Sequence, residues 1–299
     1  MKKLLIATSS FGSDRSILNI LKKKFILIKN KSGKKLDGNS LSKLLKNVDY
    51  VIAGTEIYNK KILETANNLK IIFRFGSGID NIDINYCKKN NIKIKKIKID
   101  LSTSVAELSL SLILNIIKKI EIFNSELKKG VWKKRTNNLL SGKTLGIIGF
   151  GKVGKKLVKI TKGFQLKYIY YDIKKQKTKI EYNNLKDVFK KSDIISIHQS
   201  FIKNNFNYIN KIYFNIAKKN LILINTSRGD VINENDLFNF LKKNDNAYAG
   251  LDVYQVEPYY DKLSKIKNII LTPHIGSYSI ETRIKMERDV LNLINKNLF

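Results

Sequence analysis

Apolar positions fall along this chain in two alternating rhythms. Short apolar runs at residues 4–8, 24–28, 50–53, 71–74 and 92–95 read as strands. Between them, at 41–45, 60–66 and 82–89, apolar side chains recur every three or four positions, the spacing of a helix with one buried face. A longer helical stretch runs from 104 to about 129. A second alternation then begins, with strands at 144–148, 167–171, 193–197, 221–225, 247–251 and 268–271, a helix at 152–161 and a closing helix at 280–298. Strands separated by helices call for crossover connections, so both halves predict parallel sheets: two doubly wound α/β domains.

Two segments imitate membrane signals. Lys2 and Lys3 precede the apolar run Leu4-Leu5-Ile6-Ala7, which stops at Thr8, short of the roughly 7–15 apolar residues of an export signal, and reads as a first strand. The most apolar helical stretch carries Glu107, Lys118, Lys119 and Glu121, too much charge for a membrane span.

Composition narrows the class further. With 299 residues, 43% of them hydrophobic, the chain is large enough for two cored domains. A single cysteine, Cys87, excludes an internal disulfide and argues against a thiolate metal site; a reducing, cytoplasmic setting is expected, with no metal. The net charge of +32 would suit a nucleic-acid binder. Yet only six of the 57 basic residues are Arg (15, 74, 135, 228, 283 and 288) and the other 51 are Lys, beside abundant Asn and Ile. That bias reads as compositional drift, and no nucleic-acid partner is expected.

Gly149-Phe150-Gly151-Lys152-Val153-Gly154 follows an apolar strand and opens an amphipathic helix, and Asp172 stands 18 positions past Gly154 at the end of the next strand. The spacing is that of a dinucleotide-binding turn. The first glycine turns the chain, the second lets backbone approach a pyrophosphate, and the third lets helix pack on strand. Lys152, Val153 and their neighbours supply amides at a helix N-terminus, and Asp172 can accept from both ribose hydroxyls, which favours NAD.

Three segments past this unit carry candidate chemistry: Asn225-Thr226-Ser227-Arg228-Gly229, the stretch from Gly250 through Asp252 to Glu257 and Pro258, and Thr272-Pro273-His274-Ile275-Gly276-Ser277. Each lies at the carboxyl end of an expected strand, where ligands bind in open α/β sheets. Oxidising a 2-hydroxy acid takes a base for the hydroxyl proton, a cation for the carboxylate and a carboxylate that orients the base. His274, Arg228 and Glu257 are those groups in kind. The chain has only two Pro and two His, and three of these four fall in the second and third segments.

Taken together the segments resemble the D-isomer-specific 2-hydroxyacid dehydrogenase family, which includes D-3-phosphoglycerate dehydrogenases. Arg74-Phe75-Gly76-Ser77-Gly78 resembles the family's substrate-carboxylate loop, and Ser104-Val105-Ala106-Glu107 the start of its interdomain helix. The resemblance implies two Rossmann-like domains with the active site in the cleft between them. It implies His274, Arg228 and Glu257 as catalytic residues, and Thr226, Asp252 and Gly276 beside the cofactor. Arg74, Ser77 and Gly78, with Arg228, would bind the substrate, and the protein would be a homodimer paired through the region from Val105 to Trp132. Residues 1–98 with 277–299 would be the substrate domain and 99–276 the NAD domain. Departures exist: His198-Gln199-Ser200-Phe201 stands where the family often has His-x-Pro-Leu, Leu101 stands where an Asn is frequent, and no Arg accompanies Ala53 as in phosphoglycerate members. Glyoxylate or hydroxypyruvate reduction, or a dinucleotide-sensing binding protein on the same fold, are the alternatives.

Overall fold

A computed structural model describes residues 1–200 and 205–299; Phe201 of the departing His198 segment lies outside them. The chain divides into two compact units, Met1–Leu101 with Tyr278–Phe299, and Ser102–Ser277.

In the first unit β1 (Lys3–Ile6), β2 (Ile26–Lys29), β3 (Tyr50–Ala53), β4 (Ile71–Arg74) and β5 (Lys93–Lys96) form a parallel sheet in the order β2-β1-β3-β4-β5. The helices α1 (Arg15–Lys24), α2 (Gly38–Leu45), α3 (Lys60–Leu63) and α4 (Ile84–Lys89) connect them. Each starts on an Asp or Asn whose side chain accepts a first-turn N–H: Asp14, Asp37, Asn59 and Asp83. Alternate residues along β1 enter different cores, Leu5 and, just past the strand, Ala7 on one face and Leu4 and Ile6 on the other. The second of these cores is closed by Met286, Val290 and Ile294 of the C-terminal helix Ile280–Leu298.

The second unit opens with α5 (Ser102–Lys118) and α6 (Ile120–Lys128). Its strands are β6 (Thr144–Ile148), β7 (Lys167–Tyr171), β8 (Glu181–Tyr182), β9 (Ile194–Ile197), β10 (Ile222–Asn225), β11 (Tyr248–Leu251) and β12 (Ile269–Leu271). They pair in parallel in the order β12-β11-β10-β9-β6-β7-β8. α7 (Lys152–Thr161), α8 (Leu185–Lys191), α9 (Lys211–Phe214) and α10 (Glu234–Lys243) complete it. The strand order reverses between β6 and β9, which makes the carboxyl ends of these two strands the expected ligand crevice.

Where the structure departs from the sequence reading, local causes are visible. The single helical stretch expected from 104 to 129 is two helices, because Lys119 turns left-handed at φ +55°. The new helix start is held by Asn115 Oδ1, which accepts from Glu121 N at 3.0 Å. The second strand starts later than expected, since Lys22, Lys23 and Lys24 form the last turn of α1 and Phe25 N–H closes it onto Leu21 O at 2.9 Å. Among the described residues no helix is long and apolar enough to cross a membrane.

Candidate active site

The glycine turn sits at the reversal of strand order. Gly149 N donates to Tyr171 O of β7 at 2.9 Å, and His198 N donates to Ile148 O at 2.7 Å, so β6 is gripped from both sides as it ends. Gly149 has φ +92°, and a Cβ there would lie 2.7 Å from the carbonyl carbon of His198 and the nitrogen of Gln199. Only glycine fits. Gly151 differs: a Cβ on it would meet nothing within 4 Å. It opens α7 with no side-chain cap, whereas α8, α9 and α10 are capped by Asn184, Asn210 and Asn233. Open space over Gly151 and first-turn amides without a capping side chain, including those near the exposed Lys152 and half-buried Val153, fit a pyrophosphate. Gly154 is buried, its Cα side 2.6 Å from Gly149 O for any added Cβ. Asp172 Oδ2 accepts from Phe150 N at 2.7 Å and so fixes the turn from the next strand.

Loops after β10, β11 and β12 build the rest. Asn225 Oδ1 accepts from Ser227 N at 3.0 Å and Ser227 Oγ at 2.8 Å, and its Nδ2 donates to Arg228 O at 2.9 Å, which folds the turn that presents Arg228. Gly229 lets that turn lie directly on the backbone after β11: a Cβ there would fall 1.9 Å from the carbonyl carbon of Tyr254. Arg228 and the Glu257 loop are thereby held against each other. Asp252, 1% exposed, accepts from Thr272 Oγ1 at 2.6 Å, Ile275 N at 2.8 Å and Gly276 N at 2.8 Å. Burial pushes its pKa up, and these donors offset part of that cost. Asp252 thus ties down the loop carrying His274. His274 itself is left-handed at φ +56°, and its Nδ1 lies 3.0 and 2.9 Å from the two oxygens of Glu257. Both side chains are half-buried.

Thr226 Oγ1 lies 2.9 Å from Ser109 Oγ of α5 and 3.5 Å from His198 Nδ1, while His198 Nε2 lies 2.9 Å from Ser196 Oγ. Desolvation pushes the pKa of His198 down to about 3, so this histidine stays neutral within a hydroxyl chain. The two histidines therefore have different environments: one against a carboxylate, one among hydroxyls.

In the first unit Ser77 is exposed and Gly78 half-buried in the loop after β4. Arg74, 6% exposed, lies beneath that loop: its Nη1 would be 2.4 Å from a Cβ at Gly76, and it donates to Ala53 O at 3.5 Å. The sequence reading missed three buried charges here, Glu56, Arg283 and Glu287, which are 2%, 6% and 0% exposed. A signal existed for the last two. Arg283, Met286, Glu287, Val290 and Ile294 share one buried helical stripe, so two charges occupy core positions.

Comparison with known proteins identifies the family. A family model for the D-isomer specific 2-hydroxyacid dehydrogenase, NAD binding domain, matches residues 110–276. A glyoxylate reductase of Thermococcus litoralis is 38% identical over 259 residues, 82% of this chain and 77% of that protein. A hydroxypyruvate reductase of Thermotoga maritima is 36% identical over 273 residues, 88% of this chain and 89% of that protein. Among solved structures, a D-isomer specific 2-hydroxyacid dehydrogenase from Polaromonas sp. JS6 66 superposes with a TM-score of 0.88 at 25% identity, covering 98% of this chain and 95% of that one. Its strand order, dinucleotide turn and family match make this chain a member of the D-isomer specific 2-hydroxyacid dehydrogenases, NAD-dependent oxidoreductases of small 2-hydroxy and 2-oxo acids.

Proposed function

We propose that His274 is the acid/base, Glu257 its orienting partner and Arg228 the cation that holds the substrate carboxylate and polarises its carbonyl. The contact of His274 Nδ1 with both Glu257 oxygens carries this reading. Nδ1–H donates to the carboxylate, which fixes the ring and leaves Nε2 to give its proton to the oxygen of a 2-oxo acid, or to take one back in the reverse direction. NADH, when bound, supplies the hydride. Gly149, Gly151, Lys152, Val153 and Gly154 would hold its pyrophosphate and Asp172 its ribose, with Thr226, Asp252 and Gly276 at the nicotinamide end. Residues 99–276 would act as the cofactor domain, and 1–98 with 277–299 as the substrate domain. Ser77 and Gly78 would offer amides to the substrate carboxylate, with Arg74 supporting their loop from beneath.

The substrate is glyoxylate or hydroxypyruvate rather than a phosphorylated acid, as the named activities of its relatives favour. The protein works in the cytoplasm as a homodimer. α5 spends its apolar face within its own unit, whereas α6 buries none of its residues, and Leu127, Val131 and Trp132 are 55%, 45% and 80% exposed. A second copy would cover them. The deciding assay follows NADH absorbance with glyoxylate, hydroxypyruvate and phosphohydroxypyruvate. Turnover of the first two, abolished in His274→Asn, is expected. A wild-type protein that oxidises NADH with none of them overturns the proposal.

A further inference from the structure

Arg283 belongs to the C-terminal helix and is one of only six arginines among the chain's 57 basic residues. Its Nη2 donates to Ser10 O and to Ser10 Oγ, both at 2.6 Å, in the turn that follows β1. Its guanidinium lies 4.2 Å from the ring centre of Phe75, the first residue of the loop after β4, and 4.6 Å from that of Tyr278. Phe75 also meets Phe11 edge-on at 5.2 Å between ring centres. One turn further along the same helix, Glu287 accepts from Gly12 N at 2.9 Å, Ser13 N at 2.8 Å and Asp14 N at 3.0 Å. Both charges are buried, so each must be matched in place; neither is a surface decoration.

We infer that Arg283 is a positioning residue for substrate binding. It clamps the turn at Ser9 and Ser10 and the loop at Phe75, Gly76, Ser77 and Gly78 into one rigid edge, which Glu287 anchors from below. The inference rests on the reading that this loop receives the substrate carboxylate. Chemistry explains why an arginine suits this position better than a lysine. A planar guanidinium can lie on aromatic faces while its edge donates two hydrogen bonds; an ammonium offers no plane and holds its hydration more tightly. The clamp touches neither substrate nor cofactor, so its loss should weaken substrate binding equally in the ground and transition states, raising KM and sparing kcat.

The test compares wild type with Arg283→Lys and Ser10→Ala in the full-length protein. Arg283→Lys should raise KM for the oxo acid at least about tenfold, the scale of a small misplacement at a site, with kcat within about threefold and NADH affinity unchanged. Ser10→Ala, which removes one acceptor, should shift KM in the same direction by less, and it serves alone if the lysine variant does not fold. Arg283→Ala should recover its KM when guanidinium ion is added at millimolar concentration, with sodium chloride as control; a defect arising elsewhere than at the vacated guanidinium site would not respond. Hydrogen exchange gives a readout free of activity: amides at 75–78 and 12–14 should exchange faster in Arg283→Lys while the β1, β3 and β4 amides keep their protection. A folded lysine variant with unaltered KM and unaltered exchange overturns the clamp. If wild type reduces no oxo acid, the proposed function falls, and exchange at 75–78 alone decides the clamp.

Discussion

At the carboxyl end of the seven-stranded sheet, backbone amides dominate. The turn at Gly149 and Gly151 is built so that chain, not side chain, faces the crevice, with Asp172 accepting from Phe150 N behind it, while Asp252 accepts from the Ile275 and Gly276 amides of the His274 loop. At the carboxyl end of the five-stranded sheet, Arg74, Arg283, Glu56 and Glu287 are buried beneath the loops they hold, with Glu56 Oε2 accepting from Gly54 N at 2.7 Å. Burial pushes the pKa of Glu56 up and that of Arg283 down, the signature of charges kept against a desolvation cost. A phosphate-bearing cofactor brings its own charge and asks for unencumbered amides. A small acid offers few handles, so if the loop after β4 receives it as proposed, that loop must be rigid beforehand. Both edges solve a positioning problem, one by leaving space and the other by filling it.

The most severe test of the first edge removes its chemistry. His274→Asn should cost on the order of 10²–10⁴ in kcat while NADH affinity, read by fluorescence titration, stays near wild type. Glu257→Gln keeps the shape but offers an amide, which can present only one acceptor oxygen to Nδ1 where the carboxylate presents two, at 2.9 and 3.0 Å; a loss of kcat of about tenfold or more is expected. Equal damage from His198→Asn, in a folded protein with normal NADH binding, would move the base to the other histidine.

Next in size are two glycines in one turn. Gly149→Ala forces a Cβ to within 2.7 Å of the His198–Gln199 backbone at φ +92°, and should destabilise the protein by about 1–3 kcal/mol in urea titrations. Gly151→Ala meets nothing within 4 Å at an ordinary φ of −79°, so its unfolding midpoint should match wild type while NADH affinity falls. Unchanged NADH binding in Gly151→Ala would mean that the open space is not where the pyrophosphate lies.

What could be read from the chain follows the same division. Periodicity gave the strands that carry Gly149, Asn225 and Asp252, because parallel strands buried on both faces are continuous apolar runs. The glycine turn and Asp172 were legible through their spacing, and the positions of Arg228, Glu257 and His274 past strand ends through the apolar runs before them; the roles proposed for these three come from the resemblance and the chemistry of their side chains. The break at Lys119 was not, since the apolar rhythm continues through it and one left-handed residue leaves no compositional mark. β8, only Glu181 and Tyr182, is too short for any periodicity to register. The clamp of Arg283 and Glu287 on the loop at 10–14 spans some 270 positions, and nothing local to either segment pairs them.

The smallest effect probes how the first edge treats the half-buried imidazole of His198. An unfolded chain would protonate His198 near 6.5, whereas the folded protein holds it neutral down to about 3. Between those values the unfolded state binds a proton that the folded state refuses, so this histidine's contribution to stability is complete above pH 6.5 and is lost as pH falls toward 3. Asn at this position keeps a hydrogen-bonding amide and does not titrate. Carboxylates weaken both proteins alike in acid, so the difference between the wild-type and His198→Asn unfolding free energies isolates the imidazole. That difference should be constant above pH 7 and should shift against the wild type below it, by at most about 1.4 kcal/mol per pH unit. A difference that stays flat from pH 7 to 4 would mean that the folded protein accepts the proton freely. The Ser196–His198–Thr226 chain would then be no neutral lining, and the contrast with the charged clamp under the other sheet would lose its clearest member.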